Sequence, residues 1–81
     1  MPIAFVLINT ETGLEADMLQ TLRKVEGVNE AHVVYGTFDI VVKVEAESME
    51  ALKEMITLHI RKLDKVRSTL TLVVSKNSKA P

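Results

Sequence analysis

The apolar residues of this chain follow two different spacings, and together they predict four strands and two helices. Residues 3–10 are almost continuously apolar, as expected of a strand that is covered on both faces. Residues 28–34, 40–44 and 67–75 also contain apolar residues with many β-branched members, so we predict three further strands there.

Apolar residues at helical spacing predict two helices between these strands, over residues 14–26 and 49–63. In both segments acidic residues come first and basic residues last, which suits the helix dipole. Gly27 is the expected stop of the first helix, and Ser48 is the expected N-cap of the second. The predicted core-facing positions are Leu14, Met18, Leu19, Leu22 and Val25 in the first helix, and Met49, Leu52, Met55, Ile56, His59 and Leu63 in the second.

The order of these elements, β-α-β-β-α-β, predicts the fold class. It is the order of the ferredoxin-like split motif, an α+β fold with an antiparallel four-stranded sheet and both helices on one face. A chain of 81 residues allows a single domain, which we place at residues 1–76. The polar residues 77–81 are predicted to form a flexible tail.

The strands are more apolar than this fold requires. Helices can cover only one face of the sheet, yet successive positions are apolar in residues 5–8, 40–42 and 72–74. A solvated face would alternate with polar residues. We therefore expect an apolar open face that packs against the sheet of a second copy, giving a homodimer in the form of a dimeric α+β barrel.

Charge and composition narrow the choice of partners. The 10 basic and 11 acidic residues give a net charge of −1, which offers no electrostatic basis for binding DNA or an anionic membrane. The chain has no cysteine, whereas small secreted domains usually carry disulfides, so we expect a cytoplasmic location.

The sequence contains no pattern typical of a metal or catalytic site. Its two histidines, His32 and His59, lie far apart, and neither is spaced with a second ligand for a metal ion. The sequence also lacks a nucleophile elbow and a glycine-rich phosphate loop. We therefore predict no cofactor, no metal and no enzymatic activity.

The turn from Tyr35 to Asp39 is the first candidate for ligand binding. Gly36 can adopt a positive φ, and a tight turn of this kind can present consecutive N–H groups to an anion. Asp39 adds a negative charge beside these donors. Donors for a carboxylate and an acceptor for an ammonium together suit the two ends of a free α-amino acid. A simpler interpretation, in which Gly36 and Asp39 only form the turn, stays open.

Thr69 and Thr71 in the last predicted strand are the second candidate. Alternation along the strand would place both side chains on the same face of the sheet. If that face carries the contact between copies, the two hydroxyls could reach a small polar ligand.

Residues 30–43 resemble a segment of the effector-binding domain of the Lrp/AsnC transcriptional regulators, also called the RAM domain. The family pattern there is an apolar strand, then Gly-x-(Tyr/Phe)-Asp, then a second apolar strand ending in Lys or Arg. Residues 36–39 match it as Gly-Thr-Phe-Asp, and residues 66–74 resemble the family's Val-x-x-Thr-x-Thr-x-x-Val strand. The resemblance extends over about residues 3–76.

This resemblance implies a non-enzymatic module that binds a free amino acid and modulates amino-acid-responsive transcription. In the family, two domains pair through their sheets, dimers assemble into rings that are often octamers, and the amino acid lies between dimers. The corresponding ligand-binding residues here are Gly36, Thr37, Phe38, Asp39, Thr69 and Thr71, with Tyr35 and Ser68 next to them.

One part of the family pattern has no counterpart in this sequence. Full-length regulators carry a helix-turn-helix ahead of this domain, whereas the first predicted strand here begins at Ile3. We therefore expect a chain like the stand-alone effector modules of the family, without direct DNA binding, which could co-assemble with a full-length regulator and modulate it.

Two other functions fit the same fold. Small dimeric ferredoxin-like proteins include monooxygenases and haem-degrading enzymes with a pocket between sheet and helices, in which His59 would be the candidate ligand or base. The chain would alternatively be a structural oligomerisation domain whose loop binds nothing.

Overall fold

The computed structural model describes residues 1–76, which form four strands and two helices in the predicted order. The strands are β1 (Ile3–Thr10), β2 (Val28–Val33), β3 (Ile40–Glu45) and β4 (Val66–Val73). The helices are α1 (Glu15–Arg23) and α2 (Met49–Met55), and α2 continues as a π-helical segment over Ile56–Ile60. The predicted tail, residues 77–81, lies outside the described residues.

The sheet is antiparallel throughout and has the strand order β2-β3-β1-β4. The most apolar strand, β1, is therefore central and pairs with both β3 and β4. This topology confirms the ferredoxin-like α+β fold predicted from the order of the elements. None of the helices in residues 1–76 is both long and apolar enough to cross a membrane.

A single core lies between one face of the sheet and the helices. Full burial of one large aliphatic side chain in such a core stabilises the folded state by about 1.5–3 kcal/mol. The buried residues are Ala4, Val6, Ile8, Ala31, Ile40, Val42 and Val44 from the sheet, and Met18, Leu22, Leu52, Met55, Ile56 and Ile60 from the helices. The intervening strand residues, such as Phe5, Leu7 and Val41, lie on the opposite face, which the helices leave open.

The first helix is shorter than predicted, and the second begins where predicted. The N–H groups of Lys24 and Val25 bond to carbonyls three residues earlier, which tightens the last turn and ends α1 before residue 26. Ser48 is the N-cap of α2, because its Oγ accepts a hydrogen bond from the N–H of Ala51 at 3.1 Å.

The second helix departs from the prediction in its last part, where Ile56–Ile60 form a wide π-helical turn. In a regular α-helix Ile60 would lie about 80° around the axis from Leu52. A wider turn carries Ile60 back towards the core, where it is fully buried. The predicted core position His59 is exposed, because the wider turn buries its neighbour Ile60 instead. Met49, in the first turn of α2, is also exposed.

Candidate functional site

Three strand ends and one loop meet at one end of the sheet. β1 ends there, β3 and β4 begin there, and residues 34–39 connect β2 to β3 beside them. Together they form a cleft of about 380 Å³, which is within the range of roughly 300–1,000 Å³ typical of small-molecule sites. We call it the Asp39 cleft, and it is lined by Asn9, Thr10, Thr12, Asp39, Arg67 and Ser68.

Asp39 is held in this cleft by three hydrogen bonds. Its N–H donates to the carbonyl of Ile8 at 2.9 Å, and its carbonyl accepts from the N–H of Val34 at 2.9 Å. Its carboxylate Oδ2 accepts from the N–H of Thr10 at 3.0 Å. Within residues 1–76 only Oδ2 of this carboxylate is engaged, so Asp39 both caps the end of β1 and offers a charged acceptor to the cleft.

The turn ahead of Asp39 has the backbone conformation expected from the sequence. Gly36 has a φ of +134°, a region that glycine adopts readily and other residues rarely do. In the described part of the chain, the N–H groups of Gly36, Thr37 and Phe38 form no backbone hydrogen bond. None of these three residues lines the Asp39 cleft, so their donors and the Asp39 carboxylate do not converge within one chain.

Thr69 and Thr71 lie on one face of β4, as predicted, and this is the face that the helices cover. Each pairs with a fully buried residue of β1, whereas the alternating residues Leu70 and Leu72 point to the open face. Packing of a second copy on the open face would therefore not reach the two hydroxyls. Neither threonine lines the Asp39 cleft, although the neighbouring Ser68 does.

Four cleft residues were not predicted from the sequence: Asn9, Thr10, Thr12 and Arg67. The side-chain amide of Asn9 donates to the Oγ of Ser68 at 3.1 Å, which ties β1 to β4 across the cleft wall. The hydroxyl of the buried Thr10 donates to a loop carbonyl at 2.7 Å. The available signal was the abrupt change from apolar to polar residues at the end of β1.

The open face of the sheet carries an apolar patch, which we call the open-face patch. Phe5, Leu70 and Leu72 are exposed by 37%, 46% and 51%, large fractions for side chains in a sheet. Leu7 and Val41 are half-buried between them, since Leu7 pairs with both Val41 and Leu70. Contiguous exposed apolar surface of this kind marks an interaction site.

Three charged or polar side chains border the open-face patch on β2 and β3. Nε2 of His32 lies 3.1 Å from Oε1 of Glu30, and Nζ of Lys43 lies 3.8 Å from Oε2 of the same carboxylate. The hydrogen bond from His32 holds the pKa of Glu30 below its ordinary value, and Lys43 adds to this effect. An apolar centre with a polar border is the usual anatomy of a protein–protein interface.

A larger groove of about 910 Å³ lies at the opposite end of the sheet, between the end of β3 and the helices. We call it the Gly27 groove. His59 lines it together with four carboxylates, those of Glu26, Glu45, Glu47 and Glu54. In residues 1–76 no three His, Cys, Asp or Glu side chains come close enough to hold a metal ion.

Comparison with known proteins identifies the family. The family model described as the Lrp/AsnC ligand binding domain matches residues 3–81. The chain belongs to this family. An uncharacterized HTH-type transcriptional regulator from Pyrococcus furiosus is 34% identical over 73 residues, which are 86% of this chain and 49% of the relative. The chain therefore spans about half the length of the curated relatives that it matches.

Solved structures of this Lrp/AsnC fold superpose closely on the chain. A hypothetical protein from Pyrococcus horikoshii has 36% identity and a TM-score of 0.88, over 95% of this chain and 93% of that one. AsnC from Escherichia coli has 27% identity and a TM-score of 0.89, over 99% of this chain and 54% of that one. The resemblance seen in the sequence is thus confirmed for both family and fold.

Proposed function

We propose that this Lrp/AsnC ligand-binding domain binds a free α-amino acid at the Asp39 cleft and so modulates transcription, without catalysing a reaction. The observation that carries the proposal is the position of Asp39. Its half-buried carboxylate is fixed by the backbone in a polar cleft of suitable size, and one of its oxygens is not engaged within residues 1–76.

The role of Asp39 is to bind the ammonium group of the ligand. A hydrogen bond between charged groups contributes about 1.5–3 kcal/mol, so a few such contacts support micromolar binding after the costs of association. In one chain the turn donors and the β4 threonines lie outside the cleft. We assign these five residues to ligand contacts that form only in the assembled oligomer. They are Gly36, Thr37, Phe38, Thr69 and Thr71.

The assembly begins with a homodimer that buries the open-face patch of two copies against each other. The apolar centre of this patch and its charged border support such packing, because isolated small domains rarely leave contiguous apolar area in water. A second level of assembly, such as a ring of dimers, would then bring the turn donors of one dimer near the cleft of another.

Charge substitution on β4 tests this assembly. Leu72→Lys places an ammonium in the open-face patch and should convert the wild-type oligomer to monomers in sedimentation analysis at micromolar concentration. Val73→Lys is the matched control, because Val73 is exposed by 43% on the same strand but lies on the other face. A wild-type chain that sediments as a monomer would contradict the proposed dimer.

The match to an HTH-type regulator supports a role in transcription regulation. Within that role, we propose that the chain acts with a full-length regulator of the same family, whose sheet would pack on the open-face patch. Binding of the amino acid would then change the oligomer through which the full-length regulator binds DNA.

The geometry gives little support to the haem-enzyme alternative. His59, its candidate ligand or base, is exposed in the Gly27 groove among four carboxylates. Haem carries two carboxylates of its own, which this acidic groove would repel. No observation therefore favours an enzyme over a binding module.

Equilibrium dialysis of the wild-type chain against each of the twenty L-amino acids tests the proposed function. We expect at least one amino acid to bind with micromolar affinity and to raise the melting temperature as its concentration rises, because it binds only the folded state. Failure of all twenty to bind at millimolar concentration would contradict the proposal and favour a purely structural oligomerisation domain.

A further inference from the structure

Arg67 is a cleft residue to which the proposed function has so far given no role. It lines the Asp39 cleft together with five other residues, of which only Asp39 is also charged. We infer that Arg67 binds the α-carboxylate of the ligand, so that Arg67 and Asp39 together select a zwitterion. The inference rests on the proposed function and specifies which chemical groups the site requires.

The backbone of β4 is irregular at Arg67. Ser68 pairs with Asn9 and Val66 pairs with Thr10, so Arg67 is an extra residue with no partner on β1. A bulge of this kind redirects a side chain from its regular position in the sheet, and bulges are frequent next to binding sites. At this strand end, the redirected side chain contributes to the wall of the cleft.

The guanidinium of Arg67 is available to a ligand. The residue is exposed and forms no ion pair with any of residues 1–76, whereas nearby Lys65 lies 4.0 Å from the carboxylate of Asp17. Its planar fork of N–H donors matches the two oxygens of a carboxylate, which gives a bidentate contact that a single ammonium cannot provide.

The charges of the cleft match those of a free amino acid. Asp39 supplies one negative group and Arg67 one positive group, and the other lining residues Asn9, Thr10, Thr12 and Ser68 are neutral and polar. Arg67 is the cationic residue that lines the cleft, whereas the N–H donors of residues 36–38 do not line it. Within one chain, Arg67 is therefore the group that can bind the ligand's carboxylate. A ligand with only one of the two charged ends would leave the opposite cleft charge unpaired, and would bind more weakly.

Isothermal titration calorimetry with amino acids and their carboxamides tests the role of Arg67. Each of the twenty L-amino acids and its α-carboxamide is titrated into wild type, Arg67→Gln and the control Arg61→Gln. Arg61 is exposed and lies outside the cleft, so its substitution removes the same charge from the chain without changing the cleft. Melting curves of the three proteins establish that all are folded.

We expect wild type and Arg61→Gln to bind an amino acid at least tenfold more tightly than its carboxamide. In Arg67→Gln the affinity for the amino acid should fall by about tenfold or more while that for the carboxamide stays the same, so the discrimination disappears. Retention of the wild-type discrimination in Arg67→Gln would overturn this inference alone. Failure of the wild type to bind any amino acid would overturn it together with the proposed function.

Discussion

Gly27 and Gly36 both have a positive φ, of +96° and +134°, yet they lie at opposite ends of the sheet in very different surroundings. A Cβ placed on Gly27 would lie 2.8 Å from the sulfur of Met55 and 3.0 Å from the carbonyl of Glu45. A Cβ placed on Gly36 would meet no other atom within 4 Å. The same residue type therefore permits tight packing at one end and shapes a free surface at the other.

The hydrogen bonds of the two turns show the same contrast. The carbonyl of Gly27 accepts the N–H of Glu45 at 2.9 Å, which ties the turn after α1 to the end of β3. At the other end the N–H groups of residues 36–38 form no backbone hydrogen bond within the described chain. The packing is therefore tighter around Gly27, whereas residues 36–38 have donors to offer to a ligand or a neighbouring chain.

The largest effect on stability is expected from Gly27→Ala. The new methyl group meets both backbone strain and two close neighbours, one of them a main-chain carbonyl that cannot move easily. Strain of about 1 kcal/mol and overpacking of about 1–3 kcal/mol together give a loss of roughly 2–4 kcal/mol in the free energy of unfolding. Urea denaturation measures this loss, and a variant as stable as wild type would show that the Gly27 turn is not the tightly packed end.

A smaller effect is expected from Gly36→Ala, because the methyl group meets open space and only the backbone strain remains. The same urea experiment should show a loss of about 1 kcal/mol. Both variants replace a glycine of positive φ with alanine, but only the alanine at position 27 meets close neighbours, so the pair of variants separates overpacking from backbone strain. A loss at Gly36 equal to that at Gly27 would contradict the assignment of packing to one end.

Elements set by local sequence were predictable, whereas the cleft was not. The apolar run of β1 gave its bounds, Ile3–Thr10, and Ser48 marked the start of α2 because capping depends on neighbouring residues alone. The π-helical turn was missed because it responds to the position of the core rather than to any local signal. The buried Ile60 was missed with it.

Of the six ligand-binding residues predicted from the sequence, only Asp39 lines the cleft, and the reason is topological. The cleft combines residues 9, 10, 12, 39, 67 and 68, and their proximity can be deduced only once the strand order and register are known. Alternation along β4 shows that Thr69 and Thr71 lie on the same face of the sheet. Which of the two faces this is follows only from the pairing of β4 with β1. Arg67 was missed because a bulge in one strand has no reliable signature in a single sequence.

The ligand is proposed to bind at the Asp39 end of the sheet, and two matched carboxylate variants test this position. Asp39 and Glu45 are both half-buried and each accepts one side-chain hydrogen bond within residues 1–76, from the N–H of Thr10 and from the amide of Asn29. Asp39→Asn and Glu45→Gln remove one charge each and keep an oxygen acceptor for these bonds.

Titration calorimetry with the twenty L-amino acids then compares wild type with the two variants. We predict that Asp39→Asn weakens the binding of the amino acid by about tenfold or more, because an amide lacks the charge that pairs with the ammonium. Glu45→Gln, in the Gly27 groove, should bind like wild type. Unchanged affinity in Asp39→Asn together with a loss in Glu45→Gln would place the ligand at the opposite end of the sheet and contradict this account.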